Sequence, residues 1–286
     1  MRIGTRTALT PMLVLALVLG CTSEDAPPPG VETQPVSMTS PSILTVVAHD
    51  FYFEAPDSIP AGFTTVRLVN QGGQTHSIQL WKLAPGKTLG DVLDSARAGI
   101  RHPSWVSDAG GPNIVAYGQT SGVGELLEPG DYVITCLVIG RDGQTHILKG
   151  MARALRVTRS GAHFAEPPKT DLSITLLDYG FDVPPVIAAG RHTIRIMNDA
   201  KQAHEVLLLR LDPGKTYNDY LIWAQSQDGA APGVFMGGVT SIEGKHTAIV
   251  EADLTPGDYA LLCELPDATD GRPHFQHGMI RQIKVT

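Results

Sequence analysis

The chain repeats itself, and the repeat dictates what it can fold into. Ile59-Pro-Ala-Gly-Phe-Thr-Thr-Val-Arg-Leu-Val-Asn70 returns as Ile187-Ala-Ala-Gly-Arg-His-Thr-Ile-Arg-Ile-Met-Asn198. Pro85-Gly86-Lys87-Thr88 returns as Pro213-Gly214-Lys215-Thr216, and Pro129-Gly130-Asp131-Tyr132 as Pro256-Gly257-Asp258-Tyr259. Gly150-Met151 matches Gly278-Met279, and the endings Leu155-Arg-Val-Thr and Ile283-Lys-Val-Thr close each copy. The offset stays at 127 or 128. A period of that length is a whole domain, so one plan is built twice.

That plan is all-β. Apolar residues alternate in Thr65-Val-Arg-Leu-Val, Thr193-Ile-Arg-Ile-Met, Ala154-Leu-Arg-Val and Gln282-Ile-Lys-Val, the period of a half-buried strand. Pro-Gly-Asp turns separate such runs, as in an antiparallel sandwich or barrel. One segment per copy differs. Leu89, Val92, Leu93 and Ala96 in 88–98, and Tyr217, Tyr220 and Leu221 in 216–224, have helical spacing. Each domain is therefore expected to carry one short inserted helix. The expected organisation is domain one over 42–158, a linker over 159–169 holding Pro167 and Pro168, and domain two over 170–286.

Matching positions of the two copies carry the same donors. His76, Cys136, His146 and Met151 form one set; His204, Cys263, His274 and Met279 form the other. One thiol, two imidazoles and a thioether are the donors of a type 1 copper site, where soft sulfur suits Cu(I), imidazole suits both oxidation states and a weak axial Met tunes the potential. Taken singly, each residue has a plainer use: Cys as small core filling, His as a strand-end group, Met as packing. His277 offers a second imidazole beside His274, but Lys149 stands in its place in the first copy, whereas His274 aligns with His146. Asn70 and Asn198 are read as turn closers. His49, His102, His163, His192 and His246 are scattered and read as surface residues.

Bulk properties narrow the partners. Hydrophobic content is 42%, charged content 18% and the formal charge −7, with no cluster of Lys or Arg. That excludes nucleic acid as an expected partner and favours a soluble domain or a basic protein partner. The first residues read as an export signal: Arg2 and Arg6 precede an apolar run that ends Val18-Leu19-Gly20-Cys21. This ending of the signal segment (1–21) resembles a bacterial lipobox, which implies cleavage before Cys21 and lipidation of that Cys as the new N-terminus. Residues 22–41 are rich in Pro, Ser and Thr and are expected to be a disordered tether. The chain is then a membrane-anchored lipoprotein on the periplasmic or cell-surface side, with Thr22 pointing to the outer membrane. With Cys21 assigned to lipid, Cys136 and Cys263 are one thiol per domain, which is no disulfide framework for an oxidising compartment.

A strand-end His, then Pro-Gly-Asp-Tyr-x-x-x-Cys, then His-x-x-x-Gly-Met and a final strand together resemble the cupredoxin, or blue copper, family across 42–286. The resemblance implies two tandem cupredoxin-like Greek-key β-sandwich domains. The Cys would end the penultimate strand, the second His and the Met would sit on the following loop, and copper would be the cofactor. The spacings Cys-x9-His-x4-Met and Cys-x10-His-x4-Met look more like the type 1 loop of copper nitrite reductases than that of plastocyanin-like carriers. In the family a side chain after the first His often bonds near the thiolate. Ser77 fits that role, whereas Glu205 is unusual and raises the question of an altered second site.

Oxygen or nitrite turnover is not expected. Multicopper oxidases need His-x-His pairs, nitrite reductases need a His before the Cys, and here the neighbours are Thr135-Cys136-Leu137 and Leu262-Cys263-Glu264. The expected role is one-electron transfer with an exported redox partner. Two rivals stay open: a copper carrier or store that exchanges metal with a donor or acceptor, and a metal-free scaffold.

Overall fold

The computed structural model describes residues 41–160, 165–226 and 228–286. The leader, Cys21, most of the tether and part of the 159–169 segment, with His163, lie outside them.

The first repeat has nine strands and one helix: β1 Ser42–His49, β2 Tyr52–Glu54, β3 Ser58–Pro60, β4 Gly62–Asn70, β5 Gln79–Leu83, α1 Leu89–Arg97, β6 Val106–Asp108, β7 Thr120–Leu127, β8 Gly130–Thr135 and β9 Ala152–Thr158. The second repeats them as β10 Leu172–Leu177, β11 Gly180–Asp182, β12 Val186–Ile187, β13 Gly190–Asn198, β14 His204–Leu211, α2 Tyr217–Ser226, β15 Gly233–Ile242, β16 Thr247–Leu254, β17 Gly257–Leu262 and β18 Ile280–Val285. Each repeat is a cupredoxin-like β-sandwich. In the first, β2-β1-β4-β7 face β3-β9-β8-β5-β6, with β1 parallel to β4 and β3 parallel to β9. Alternation builds the core: Leu44, Val46 and Ala48 of β1 point inward against Val66 and Leu68 of β4 and Leu155 and Val157 of β9.

The helices lie where the helical spacing places them, between the first-His strand and the thiol strand. Thr88 caps α1 through a reciprocal pair with Asp91, a box worth about 1 kcal/mol. α1 buries Val92 against Trp81, Val133 and Ile147. α2 buries Tyr220 against Leu207, Leu209 and Phe235 and extends through Ser226, past the expected 224.

The two repeats also join sideways. β7 pairs antiparallel with β16, making one eight-stranded sheet of both repeats, with Val123 opposite Val250 and Gly122 opposite Glu251. Since Thr120 and Thr247 are equivalent at the offset of 127, Val123 faces its own counterpart. A second ladder does the same: Ala109 pairs with Ile242, Pro112 with Val239 and Val115 with Met236. Pro112 and Val239 are again counterparts. The repeats are thus related by a pseudo-two-fold axis, and the seam is isologous, as in a symmetric dimer.

Glycine pairs permit this close approach. Gly110-Gly111 and Gly237-Gly238 all have positive φ, a region that L side chains resist. Across the seam, a Cβ on Gly110 would lie 3.0 Å from Ile242 Cγ2 and one on Gly237 would overlap Ser121 Oγ; within each repeat, ones on Gly111 and Gly238 would meet the carbonyls of Ile78 and Val206. Ile78 and Val206 are themselves equivalent, each two residues past a candidate ligand.

Candidate metal centres

Each repeat brings its donors to one end of its sandwich. His76 stands just ahead of β5, held by a bridge to Val115. Cys136 directly follows β8, and His146 opens a 3-10 turn, His146–Lys149. Gly150, at φ 115°, then reverses the chain. This returns Met151 N to the His146 carbonyl at 3.0 Å and lets Cys136 N donate to Met151 O at 3.1 Å. In the second repeat His204 opens β14, Cys263 follows β17, His274 opens the turn His274–His277, and Gly278 at φ 105° leads to Met279. All eight side chains are buried.

The geometry is that of a shared ion. In the first centre Cys136 Sγ lies 3.9 Å from His76 Nδ1 and 3.5 Å from His146 Nδ1, and the two nitrogens are 3.2 Å apart. In the second the corresponding distances are 3.8, 3.3 and 2.9 Å. Donors bound to one ion at about 2.0 Å for nitrogen and about 2.3 Å for thiolate must themselves stand roughly 3–4 Å apart. Both triads meet this requirement. His277 is not drawn into the second triad; its Nε2 faces Asp270 Oδ1 at 3.2 Å on the surface. A third group, Asp267, Asp270 and His277, is also close-set. There Asp267 is already occupied by bonds from Tyr179, Gln202 and the 269–270 amides.

Carboxylates set the ring orientation. Asp50 Oδ1 lies 3.1 Å from His76 Nε2, and Asp178 Oδ1 lies 3.3 Å from His204 Nε2. A proton on Nε2 donates to the carboxylate and leaves the Nδ1 lone pair facing the thiol. Burial lowers the pKa of all four imidazoles, to about 4 for His146 and His274. They are therefore neutral, ligand-ready bases at pH 7. Burial pushes both thiols upward, and the Glu205 carboxyl adds to the effect at Cys263. A bound cation reverses that preference and enforces the thiolate.

An aromatic ring covers each centre. Phe51 meets His146 edge-on at 5.5 Å, and Tyr179 meets His274 edge-on at 5.6 Å. Both follow the orienting Asp and both have positive φ, 74° and 65°. Bulky residues take that conformation at a cost of about 1–3 kcal/mol and do so mainly at functional sites. His146 Nε2 and His274 Nε2 are buried without a hydrogen-bond partner among the described residues, Asp267 Oδ2 standing 3.8 Å from the latter.

The residue after the first His behaves differently in the two repeats. Ser77 Oγ sits 4.0 Å from Cys136 Sγ. Glu205 turns away, accepting from Glu264 N at 2.8 Å and from Asn113 of the other repeat at 3.1 Å. Its presence leaves the second triad as tight as the first. Asn70 and Asn198 close turns, accepting from the amides of Gly72 and Ala200.

Sequence reasoning missed Asp50, Phe51, Asp178 and Tyr179. The signal was there: Asp50-Phe51 and Asp178-Tyr179 keep the repeat offset just upstream of the matched Ile59 and Ile187 blocks.

No protein-family model matches the chain, and no curated protein does. Among solved structures it is similar to auracyanin from Roseiflexus castenholzii, at 18% identity over 42% of this chain and 98% of that one, TM-score 0.31. It is similar to auracyanin A, a "blue" copper protein of Chloroflexus aurantiacus, at 19% identity over 42% and 100%, TM-score 0.31. A copper-containing nitrite reductase from Thermus scotoductus matches at 13% identity over 85% and 61%, TM-score 0.24.

Proposed function

We propose that this chain, two cupredoxin-like domains fused along a shared sheet, binds one copper ion per domain and works as an exported one-electron carrier. The observation that carries this is the pair of buried thiol–imidazole triads, each with its donors at the mutual spacing of a first-row metal site. Copper bound there supplies a one-electron couple. The chain's own residues do the rest. Cys136 with His76 and His146, and Cys263 with His204 and His274, would hold the ion, with the buried Met151 and Met279 as thioether donors. The rigid strand ends keep these donors in place in both oxidation states. Phe51 and Tyr179 limit water at the buried imidazoles.

The absence of a His beside either Cys and of any His-x-His pair supports a carrier rather than an enzyme. The Leu-Gly-Cys21 ending supports export and lipid anchoring, with a redox protein in the same compartment as partner. The complete burial of all the donors favours electron transfer over metal delivery, because a copper-delivery protein must expose its ion to the acceptor. The test is repeated oxidation and reduction of the loaded protein in the presence of a Cu(I) chelator. A redox carrier cycles and keeps its copper; loss of the metal on the first reduction would instead establish the delivery role.

A further inference from the structure

The two repeats make related but not identical hydrogen bonds across the seam. Asn113 and Thr240 are counterparts. Thr240 Oγ1 donates to the Ile78 and Gly111 carbonyls at 2.9 and 3.1 Å. Asn113 Nδ2 donates to Val206 and Val239 carbonyls, both at 3.2 Å. The bonds to Ile78 and Val206 are the same stitch made from both sides, whereas the second bonds differ, the counterpart of Gly111 being Gly238 and not Val239. Asn113 also reaches the carboxyl of Glu205, whereas the counterpart of Glu205 is the short Ser77. Burying a carboxyl costs desolvation, and Thr240 itself makes its bonds without one, although the adjoining Ser241 Oγ donates across the seam to the buried Asp108 carboxyl at 2.6 Å.

What Glu205 adds is continuity between the centres. It is bonded in sequence to His204, and its Oε1 accepts from the amide of Glu264, the residue after Cys263. Its Oε2 accepts from Asn113. Two residues further on, Val115 N donates to the carbonyl of His76 at 3.0 Å. Three hydrogen bonds and short stretches of backbone thus connect a thiol ligand of one centre to an imidazole ligand of the other. Tunnelling falls off more slowly along bonds and hydrogen bonds than across gaps.

We propose that the two centres exchange an electron within one chain, and that Asn113 and Glu205 complete the bridge. The proposal rests on the copper reading of both centres. One electron leaves the reduced centre and enters the oxidised one. No bond is made or broken, no proton moves and no outside oxidant is consumed in the exchange.

The test uses doubly loaded protein in a Met279→Leu background, where loss of the thioether separates the two potentials. A radiolytic pulse delivers less than one electron per chain, and rapidly frozen samples report each centre by paramagnetic resonance. The expected result is a redistribution phase whose rate does not depend on protein concentration. Asn113→Thr retains the stitch that Thr240 makes but does not reach Glu205. It is expected to slow that phase at least tenfold while leaving both visible bands in place. In the metal-free protein the same variant should speed hydrogen exchange at the Glu264 amide several-fold. An Asn113→Thr rate equal to that of its parent, an unchanged Glu264 amide, or a phase that scales with concentration each overturns the bridge. Absence of the visible bands in the parent overturns the copper reading instead.

Discussion

Asp50 Oδ1 sits 3.1 Å from His76 Nε2 and thereby fixes which nitrogen of that ring faces Cys136. Asp178 does the same for His204 in the second repeat. Outer partners of this kind typically contribute about 10–100-fold in metal affinity. Asp50→Ala should weaken copper at the first centre by about that factor, and Asp178→Ala at the second, in competition with a chelator. Asp50→Asn, which keeps an acceptor, should recover most of the loss. Equal affinities for Asp50→Ala and the parent would remove the carboxylate from the account.

Phe51 holds a strained backbone over His146. Phe51→Gly relieves the φ penalty and removes the cover. Copper should then leave the first centre faster in chelator chase, with little loss of thermal stability. A release rate equal to the parent's would show that the ring does not gate access.

Glu125 is a buried carboxyl whose Oε1 has no hydrogen-bond partner among the described residues, and burial raises its pKa well above 4.5. The folded state therefore binds a proton that the unfolded state releases. Stability falls as pH climbs from about the unfolded value, at up to about 1.4 kcal/mol per pH unit, until the folded pKa is passed. Glu125→Gln should lack this slope and be the more stable protein at alkaline pH, measured by denaturant titration across pH. Parallel profiles for the two proteins would contradict the assignment.

Gly111→Ala forces a Cβ against the Ile78 carbonyl at φ 126°. It should cost about 2–3 kcal/mol. Gly118→Ala also has positive φ, at 74°, but open space around it, and should cost only about 1–2 kcal/mol. Chemical denaturation of the two variants separates backbone strain from overlap with the Ile78 carbonyl.

Much of this was legible in the sequence because repetition and ligand chemistry are local patterns. The alternation around Val66 and Leu68 marks strands, and the helical spacing of Leu89, Val92 and Leu93 marks α1. The seam was not legible. That Val123 pairs with Val250 depends on two exposed sheet edges meeting, and no residue type announces a partner strand. Asp50 was missed because it lies far in sequence from His76, and its role arises only when β1 runs parallel to β4. Glu205 looked like damage to the second centre. Its environment is the opposite repeat, which a domain-by-domain comparison leaves out.

The central claim is two equivalent copper centres in one chain, and a Cu(II) titration read by visible absorption and elemental analysis tests it most directly. Two copper ions per chain and an intense charge-transfer band are expected. Cys136→Ser and Cys263→Ser should each remove one ion and about half the band, and the double variant should be colourless. A parent protein that binds no copper, or a Cys136→Ser protein that still holds two ions with the full band, would contradict it.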